Sequence, residues 1–532
     1  MNRFRTIAGL ALAAACLFSC ERVNDEGVIP GGGSYAWRSL ASGEKLAGTT
    51  YQLNVYSFAD SDGDGWGDFR GVTQHLDYFD SLGVTALLLS PIFQAMSYHG
   101  YDVTDYSAIN PRFGSEANFQ DLVDKAKQRN IGIYLDFVLN HSGSDHVWFK
   151  QACSNPDGLY GAYYVISDTP GSYDNGGSGN WYQLPQGNGY YFATFDRSMP
   201  DFDYGPAKAA PSSNLFKDLA AAADKWIGMG VSGLRIDSAN WIYQNHTDDN
   251  VALLKEWYNR CYSSYKSRGN PGDFYIVADI QTDLEEKIAP YYEGVPSIFN
   301  HFFWQTLKES IHSKQGKDFA VALKQFREQF RRQRSDFIDA ILLTDHNEDR
   351  AADALDRNLE NEKLAAAVLL TSPGKPYIYQ GEELGYWGKT QHGKEYVRTP
   401  IKWTRTGSAA FGALQGKIDH AMLSEKISVE AQEQDNASIL RVYRDFAQAR
   451  SAWKALAQGE LECVTSPDSA VAIWKMVYKD QTVLVVHNFG NGTPVLRLSG
   501  FATDKLIVSN GTVTLSEGSV TLGAFASAVF LQ

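Results

Sequence analysis

The sequence has few cysteines and fewer basic than acidic residues. Five cysteines are spread over 532 residues without the spacing of a disulfide framework or a metal site, so we expect Cys153, Cys261 and Cys463 to be buried thiols. Lysine and arginine number 48 against 62 aspartate and glutamate residues, a formal net charge of −14, which argues against a nucleic-acid partner. Disorder is excluded too, because aromatic residues reach 13% and charged residues only 21%.

The N-terminal apolar run is too short to span a membrane. It covers residues 7–19, follows two arginines and ends at Ser19-Cys20, whereas a spanning helix needs about 20 residues. Residues 1–20 therefore read as a signal peptide whose end resembles a bacterial lipobox, with cleavage before Cys20 and a lipid on its thiol. Ordinary signal cleavage with an incidental cysteine is the alternative. Residues 21–45, which begin with acidic positions and contain a Gly-rich stretch, are expected to form a flexible tether.

Short apolar runs alternate with amphipathic stretches from residue 46 to about residue 460. The strand candidates are Tyr51–Phe58, Ala86–Ser90, Gly132–Asn140, Gly233–Asp237, Phe274–Ile280, Phe337–Thr344 and Pro376–Tyr379. The helix candidates are Asn118–Gln128, Phe216–Met229, Asn361–Leu370 and Ala437–Leu456. Nearly continuous apolar strands separated by helices are typical of a parallel sheet covered on both faces. We therefore expect an α/β fold, a (β/α)8 TIM barrel, over residues 46–460.

Two other regions depart from the alternating pattern. Residues 142–206 are rich in glycine, serine, asparagine, aspartate and tyrosine, and they predict a small subdomain inserted after the third strand. Residues 461–532 show short β-rich segments with Asn-Gly turns at Asn491 and Asn510. This second region predicts a C-terminal all-β sandwich domain.

An acidic, glycine-containing loop follows the first strand candidate. It reads DSDGDGWGD, and the oxygen ligands it offers a cation are the carboxylates of Asp60, Asp62, Asp64 and Asp68 and the backbone carbonyl of Trp66. Calcium takes six to eight oxygen ligands, and four carboxylates crowded into nine residues would repel one another without a cation. The alternative is a solvated acidic turn with local hydrogen bonds. We expect a structural Ca2+ here.

Polar residues lie at the C-terminal ends of four of the predicted strands. The segments are Asp136 to His141, Gly233 to Asp237, Val277 to Asp279, and Thr344 to Asn347. A single aspartate after a strand is more often a helix cap than a catalytic group. Four in one barrel-like series favour a shared site, because a barrel collects its strand ends on one face.

This series resembles the α-amylase family of glycoside hydrolases, and the resemblance runs from about Tyr51 to the C-terminus. The matching segments are DFVLNH, GLRID, VADIQTD and LLTDHNEDR at strand ends, together with HGYDVTDY, MPDFDYGP, PYIYQGEELG and YVRTPIKW. With the lipobox and the acidic loop, the similarity is greatest to surface lipoprotein α-amylases of bacterial starch-utilisation systems. The resemblance implies a bacterial outer-membrane protein that faces the cell surface. It also implies starch and maltooligosaccharides as ligands and other starch-utilisation surface proteins as partners.

The resemblance assigns roles residue by residue. Asp237 matches the nucleophile, Asp279 the general acid position, and Asn347 the position that stabilises the transition state. The residues that match sugar-binding or supporting positions are Tyr101, Asp102, His141, Arg235, His346 and Arg350. Trp241 stands where many members have histidine, and it either stacks on a sugar or packs against a helix.

Two catalytic positions depart from the family pattern. Asp279 replaces glutamate, which shortens the side chain by one methylene, about 1.5 Å. The seventh-strand motif, normally Asn-His-Asp, reads Asp345-His346-Asn347, so the carboxylate sits two residues early, about 6.6 Å along a strand. Acid catalysis typically raises the reaction rate by about 10²–10⁴-fold, and one misplaced electrostatic group typically lowers it by about 10²–10³-fold. Both departures are therefore expected to slow hydrolysis.

Three functions follow from these residues. The departures favour a glucan-binding protein of the α-amylase family whose retaining hydrolysis is impaired or lost. The alternative is an active α-amylase that hydrolyses internal α-1,4-glucosidic bonds of starch and maltooligosaccharides. A transglycosylase or isomerase on the same scaffold is a third reading, which needs the same carboxylate geometry.

Overall fold

The computed structural model describes residues 48–171, 180–186, 188–244, 246–407, 409–497, 505–516 and 518–532. The predicted signal peptide, Cys20 and nearly all of the stretch before the first strand lie outside these residues. Within the described ranges, no helix combines the length and the apolar character that crossing a membrane requires.

Eight parallel strands close into a barrel, which confirms the predicted (β/α)8 TIM barrel. They are Thr49–Leu53, Val84–Leu89, Gly132–Phe137, Gly233–Ile236, Tyr275–Ala278, Ser297–Asn300, Ile338–Leu342 and Lys375–Tyr379. We refer to them as the first to eighth barrel strands. Nearly every strand residue is buried, because the strands face packed side chains inside the barrel and helices outside it. Large side chains fill the barrel interior, among them Tyr134, Tyr275, Phe299 and Tyr377.

Helices surround the barrel and connect its strands. The α-helices are Val55–Phe58, Phe69–Gln74, Leu76–Ser81, Glu116–Gln128, Val147–Ser154, Asn214–Gly228, Thr247–Ser267, His301–Ser313, Phe319–Gln333, Ala351–Ala354, Leu359–Thr371, Val429–Glu433, Ile439–Ala452 and Lys454–Gln458. Side-chain caps mark several starts; Ser115 and Asn118, for example, form a reciprocal capping box at Glu116–Gln128.

Short antiparallel strands lie after the second and third barrel strands. Phe93–Ala95 pairs with Val103–Ile109, and a three-stranded sheet of Ile166–Ser167, Tyr190–Ala193 and Asn180–Gln183 lies within the predicted insertion. An isolated bridge from His141 to Asp201 joins this insertion to the chain before it, and a second bridge pairs Tyr164 with Phe202 inside the insertion. The insertion is thereby tied to the edge of the barrel where the third strand ends.

The C-terminal segment consists of β-strands, as predicted. Glu460–Cys463, Val471–Tyr478, Gln481–Asn488, Ser527–Leu531 and Leu506–Asn510 form one sheet, and Val495–Arg497, Ser519–Leu522 and Val513–Ser516 form another. Val471, Leu484, Leu496, Val520 and Phe530 belong to one apolar cluster between these strands.

Several local predictions were wrong. The run Tyr51–Phe58 is a strand only to Leu53 and then turns into the helix Val55–Phe58; both parts are buried, and burial alone does not separate a short strand from a helical turn. The predicted helix Ala437–Leu456 is two helices, because Trp453 between them is extended. Cys153 and Cys261 are buried as predicted, but Cys463 is exposed.

Candidate active site

A cleft of about 910 Å³ opens on the face of the barrel where its strands end. Its lining comes from several strand ends and connecting loops. The residues that line it are Ser97, Tyr98, His99, Tyr101, His141, Phe195, Met199, Asp237, Ser238, Asp279, Ile280, Gln281, Thr282, Asp283, His301, Gln305, Asp345, Asn347, Glu348, Lys394, Glu395 and Arg398. The three positions matched to catalytic groups, Asp237, Asp279 and Asn347, therefore meet at one mouth, together with Asp345.

Arg235 is fully buried and contacts three carboxylates, two of which line the cleft. Its Nη1 donates to Asp136 Oδ2 at 2.6 Å and to Asp237 Oδ1 at 2.9 Å, and its Nη2 donates to Asp279 Oδ2 at 2.6 Å. The barrel register makes this possible, because Asp136 stands directly beside Arg235 on the neighbouring strand and Val277, two residues before Asp279, stands beside it on the other side. Arg235 and Asp237 share a face because side chains alternate along a strand.

The Arg235 guanidinium contacts both catalytic positions, but their pKa values shift in opposite directions. Burial raises the pKa of Asp237, and Arg235 only partly opposes it. Burial also acts to raise the pKa of Asp279, but Arg235 and His301 outweigh it and the pKa is lower than the ordinary value. The group at the acid position is therefore held ionised, which is the opposite of what proton donation at neutral pH requires.

The seventh strand ends in three polar residues with different surroundings. Asp345 Oδ1 accepts a hydrogen bond from the backbone N–H of Asn347 at 2.7 Å, and burial, with Glu348 and Asp279 nearby, raises the pKa of Asp345 to about 6. Asn347 Oδ1 accepts from Lys394 Nζ at 3.1 Å. The negative side chain thus lies among other carboxylates, while the neutral side chain faces a cation.

A hydrogen-bonded chain that includes the cleft residue Tyr101 links the first, second, third and seventh strand regions. His346 Nε2 lies 2.6 Å from the Tyr101 hydroxyl, which donates to Asp136 Oδ2 at 2.8 Å. The two rings are stacked at 5.5 Å, and Gln52 Nε2 lies 3.1 Å from His346 Nδ1. Burial and nearby cations, Arg235 first among them, lower the pKa of His346, so its imidazole is neutral.

The other residues predicted to bind sugar divide into two groups. Tyr101 and His141 line the cleft. Asp102 is buried, is not among the lining residues, and accepts hydrogen bonds from the backbone and hydroxyl of Ser97. Trp241 and Arg350 are not among the lining residues; Arg350 is buried, lies over the Tyr379 ring at 4.2 Å and donates to Gln380 O at 2.5 Å.

Sequence reasoning missed several residues of the cleft. His301 follows the sixth strand, which the apolar pattern does not predict because only two of its residues, Ile298 and Phe299, are apolar. Glu348 directly follows the seventh-strand motif, and Arg398 lies inside the YVRTPIKW segment, so adjacency to those motifs is the signal for both. Lys394 and Phe195 carry no signal in the sequence.

The predicted calcium loop brings three of its four carboxylates together. Asp60, Asp62 and Asp68 each place one oxygen within 4.8 Å of the others. Asp64 instead pairs with Arg112 at 3.2 Å. Oxygen donors at this spacing suit a hard divalent cation.

Comparison with known proteins agrees with this geometry. Residues 52–459 match the α-amylase catalytic domain family, and residues 471–529 match the α-amylase SusG C-terminal domain family. The chain is 32% identical to α-amylase SusG of Bacteroides thetaiotaomicron, over 91% of each protein, and 34% identical to α-amylase 3 of Dictyoglomus thermophilum, over 90% of this chain and 92% of the other. The solved structure of Eubacterium rectale Amy13B superposes with a TM-score of 0.83 at 25% identity, covering 94% of this chain and 97% of that one. The chain belongs to the α-amylase family of glycoside hydrolases.

Proposed function

We propose that this chain is a starch-binding member of the α-amylase family in which hydrolysis is impaired or lost. The observation that carries the proposal is the ion pair between Asp279 Oδ2 and Arg235 Nη2 at 2.6 Å. Retaining hydrolysis needs a nucleophile and a protonated acid on opposite sides of the scissile bond. Asp237 keeps the nucleophile position, where it accepts a hydrogen bond from Arg235, but an aspartate held ionised by a buried arginine is a poor proton donor.

The seventh strand supports the same proposal. Asn347 carries no charge where the family pattern has an aspartate, and the carboxylate of Asp345 turns back to the Asn347 backbone. A positively charged transition state is stabilised by charge at the correct position rather than by the number of carboxylates. Both defects act on one transition state, so their effects on the rate combine.

The cleft retains features suited to a glucan chain. Tyr98, Tyr101 and Phe195 present aromatic surface, on which sugar rings stack, and Phe195 is 42% exposed. His141 and Asn347 also line the cleft and offer polar groups that could hydrogen-bond the hydroxyls of a bound sugar. The relatives carry the name α-amylase, which supports α-1,4-linked glucose polymers as the ligand.

The test measures starch affinity and reducing-end release on one preparation. We expect binding to soluble starch and maltoheptaose with a kcat/KM at least about 10²-fold below that of an active α-amylase assayed in parallel. The triple variant Asp279→Glu, Asp345→Asn, Asn347→Asp should raise kcat/KM by about 10²-fold or more without a matching gain in affinity. Release at a normal rate by the unmodified chain would instead identify an active α-amylase.

We also propose that Asp60, Asp62 and Asp68 hold a structural Ca2+. The loop lies beside the start of the helix Phe69–Gln74, whose N-cap is Asp68, so a cation there would stabilise the first connection of the barrel. Adding Ca2+ should raise the melting temperature, since a ligand that binds only the folded state stabilises it. Asp62→Asn should abolish that increase, whereas Asp121→Asn, on an exposed helix face, should preserve it.

For localisation we propose a lipid anchor on Cys20 at the outer surface of the cell. The support is the lipobox-like end of the apolar run and the acidic residues behind it. An alkynyl fatty acid fed to expressing cells should label the protein, and Cys20→Ala should abolish the label while Cys463→Ala retains it. Protease added to intact cells should digest the labelled protein if it faces outward.

A further inference from the structure

His301 lies in the cleft between two carboxylates. It follows the sixth barrel strand directly and opens the helix His301–Ser313, so the strand–helix junction sets the position of its ring. Its Nε2 lies 3.4 Å from Asp279 Oδ1, and its Nδ1 lies 3.1 Å from Glu348 Oε1. The side chain is 18% exposed and lines the cleft, so a bound sugar can reach it.

The surrounding charges favour the imidazolium form. Burial acts to lower the pKa of His301, but Asp279 and Glu348 outweigh it and the pKa lies well above the ordinary value. Asp345 adds a third carboxylate nearby. The opposing cations are Arg235, which pairs with the other oxygen of Asp279, and Lys394, which interacts electrostatically with Asp345 and Glu348.

The contact between His301 and Asp279 is long for a hydrogen bond. At 3.4 Å it exceeds the usual 2.7–3.2 Å of an N–H···O bond. Asp279 Oδ2 is already committed to Arg235. The Nε2 proton therefore has no short hydrogen bond to a protein acceptor, and it stands next to the carboxyl at the acid position of the family.

We propose that His301 Nε2 is the proton donor for the glycosidic bond cleavage that this chain retains, and that Glu348 is a positioning residue for it. The inference rests on the proposed function in one respect, that Asp279 does not serve as the acid. In the first step the Asp237 carboxylate bonds to C1 of the sugar, the C1–O bond breaks, and the leaving oxygen takes the Nε2 proton. In the second step water attacks C1, displaces Asp237 and returns a proton to Nε2.

The test compares two leaving groups, maltoheptaose and α-maltosyl fluoride. Cleavage of maltoheptaose needs a proton on the leaving oxygen, whereas fluoride departs without one. We expect His301→Gln to lower kcat/KM for maltoheptaose by about 10²-fold and to change that for the fluoride by less than about threefold. His312→Gln, a solvent-facing histidine on the same helix, should change neither.

A second readout separates proton donation from support of the fold. The rate should fall as pH rises through the pKa of the donor. Glu348→Gln removes one of the carboxylates that favour the imidazolium, so the alkaline limb of kcat/KM for maltoheptaose should move to lower pH. Glu293→Gln, a glutamate outside the cleft, should leave the limb in place.

The outcomes distinguish this inference from the proposed function. Equal losses on both substrates, or no loss on maltoheptaose, would overturn His301 as the donor. Cleavage of the fluoride but not of maltoheptaose by the unmodified chain would overturn it too, while leaving the starch-binding function intact. Normal α-amylase rates that depend on His301 would support the donor and overturn impaired hydrolysis.

Discussion

Arg235 Nη2 lies 2.6 Å from Asp279 Oδ2, so the carboxylate at the acid position is paired with a fully buried arginine. The same guanidinium donates to Asp237, the nucleophile position, at 2.9 Å. One cation therefore holds both groups, although retaining hydrolysis needs them in different protonation states. Asp279 is one methylene shorter than the glutamate of the family pattern. Its carboxyl therefore stays closer to the strand, and to Arg235, than a glutamate carboxyl would.

Removing Arg235 should destabilise the fold strongly. The side chain is fully buried and forms ion pairs with Asp136, Asp237 and Asp279, and deleting one partner of a buried ion pair typically costs about 3–5 kcal/mol. Urea unfolding of Arg235→Met should show this loss. The control Arg331→Met, which breaks an exposed ion pair with Glu460, should lose at most about 1 kcal/mol.

Exchanging the two seventh-strand residues should stabilise the protein. Asp345 is buried among carboxylates and its pKa is raised to about 6, whereas Asn347 faces Lys394. A raised carboxyl pKa lowers stability as pH rises from about 4 to about 6, because the folded state then binds more protons than the unfolded state. Asp345→Asn with Asn347→Asp should therefore raise the free energy of unfolding at pH 7 by about 1–3 kcal/mol.

That gain should depend on pH, which provides the check. Below pH 4 the carboxyl at position 345 is protonated in both states, and the advantage of the exchange should disappear. Denaturant unfolding of both proteins at several pH values measures the difference. A gain independent of pH would contradict the electrostatic explanation.

Lys375 should make stability rise with pH under alkaline conditions. It lies inside the barrel, where burial lowers its pKa to about 7, while an unfolded lysine titrates near 10.4. Between these values the unfolded state binds more protons, so stability increases with pH. Lys375→Met should flatten this rise, measured as the slope of unfolding free energy against pH. Lys479→Met, a lysine on a turn of the C-terminal segment, should leave the slope unchanged.

The cysteines should differ in reactivity toward a thiol reagent. Cys463 is exposed, whereas Cys153 and Cys261 are buried, and burial raises the pKa of Cys153 to about 11. Iodoacetamide added to the native protein should modify Cys463 well before the other two, as read from peptide masses. Equal modification of all three under native conditions would contradict the burial of Cys153 and Cys261.

Much of the site was predictable because it lies in contiguous segments. Asp237, Asp279 and Asn347 each follow an apolar strand within a characteristic motif, and a closed barrel collects such strand ends on one face. The contacts of Asp279 were harder to predict from the sequence. They depend on the register between neighbouring strands. They also depend on His301, which follows a strand with only two apolar residues, too few for hydrophobic periodicity to be informative.

The sequence by itself determined the barrel, its inserted and C-terminal elements, and the identity of the altered catalytic residues, because each is written in local apolar patterns and short motifs. Only the tertiary structure decided which charges meet. It joined Asp279 to Arg235, set His301 between Asp279 and Glu348, turned Asp64 toward Arg112, and buried Arg350 behind the cleft. Electrostatic interactions depend on distances between residues far apart in the chain, and those distances exist only once the barrel has closed.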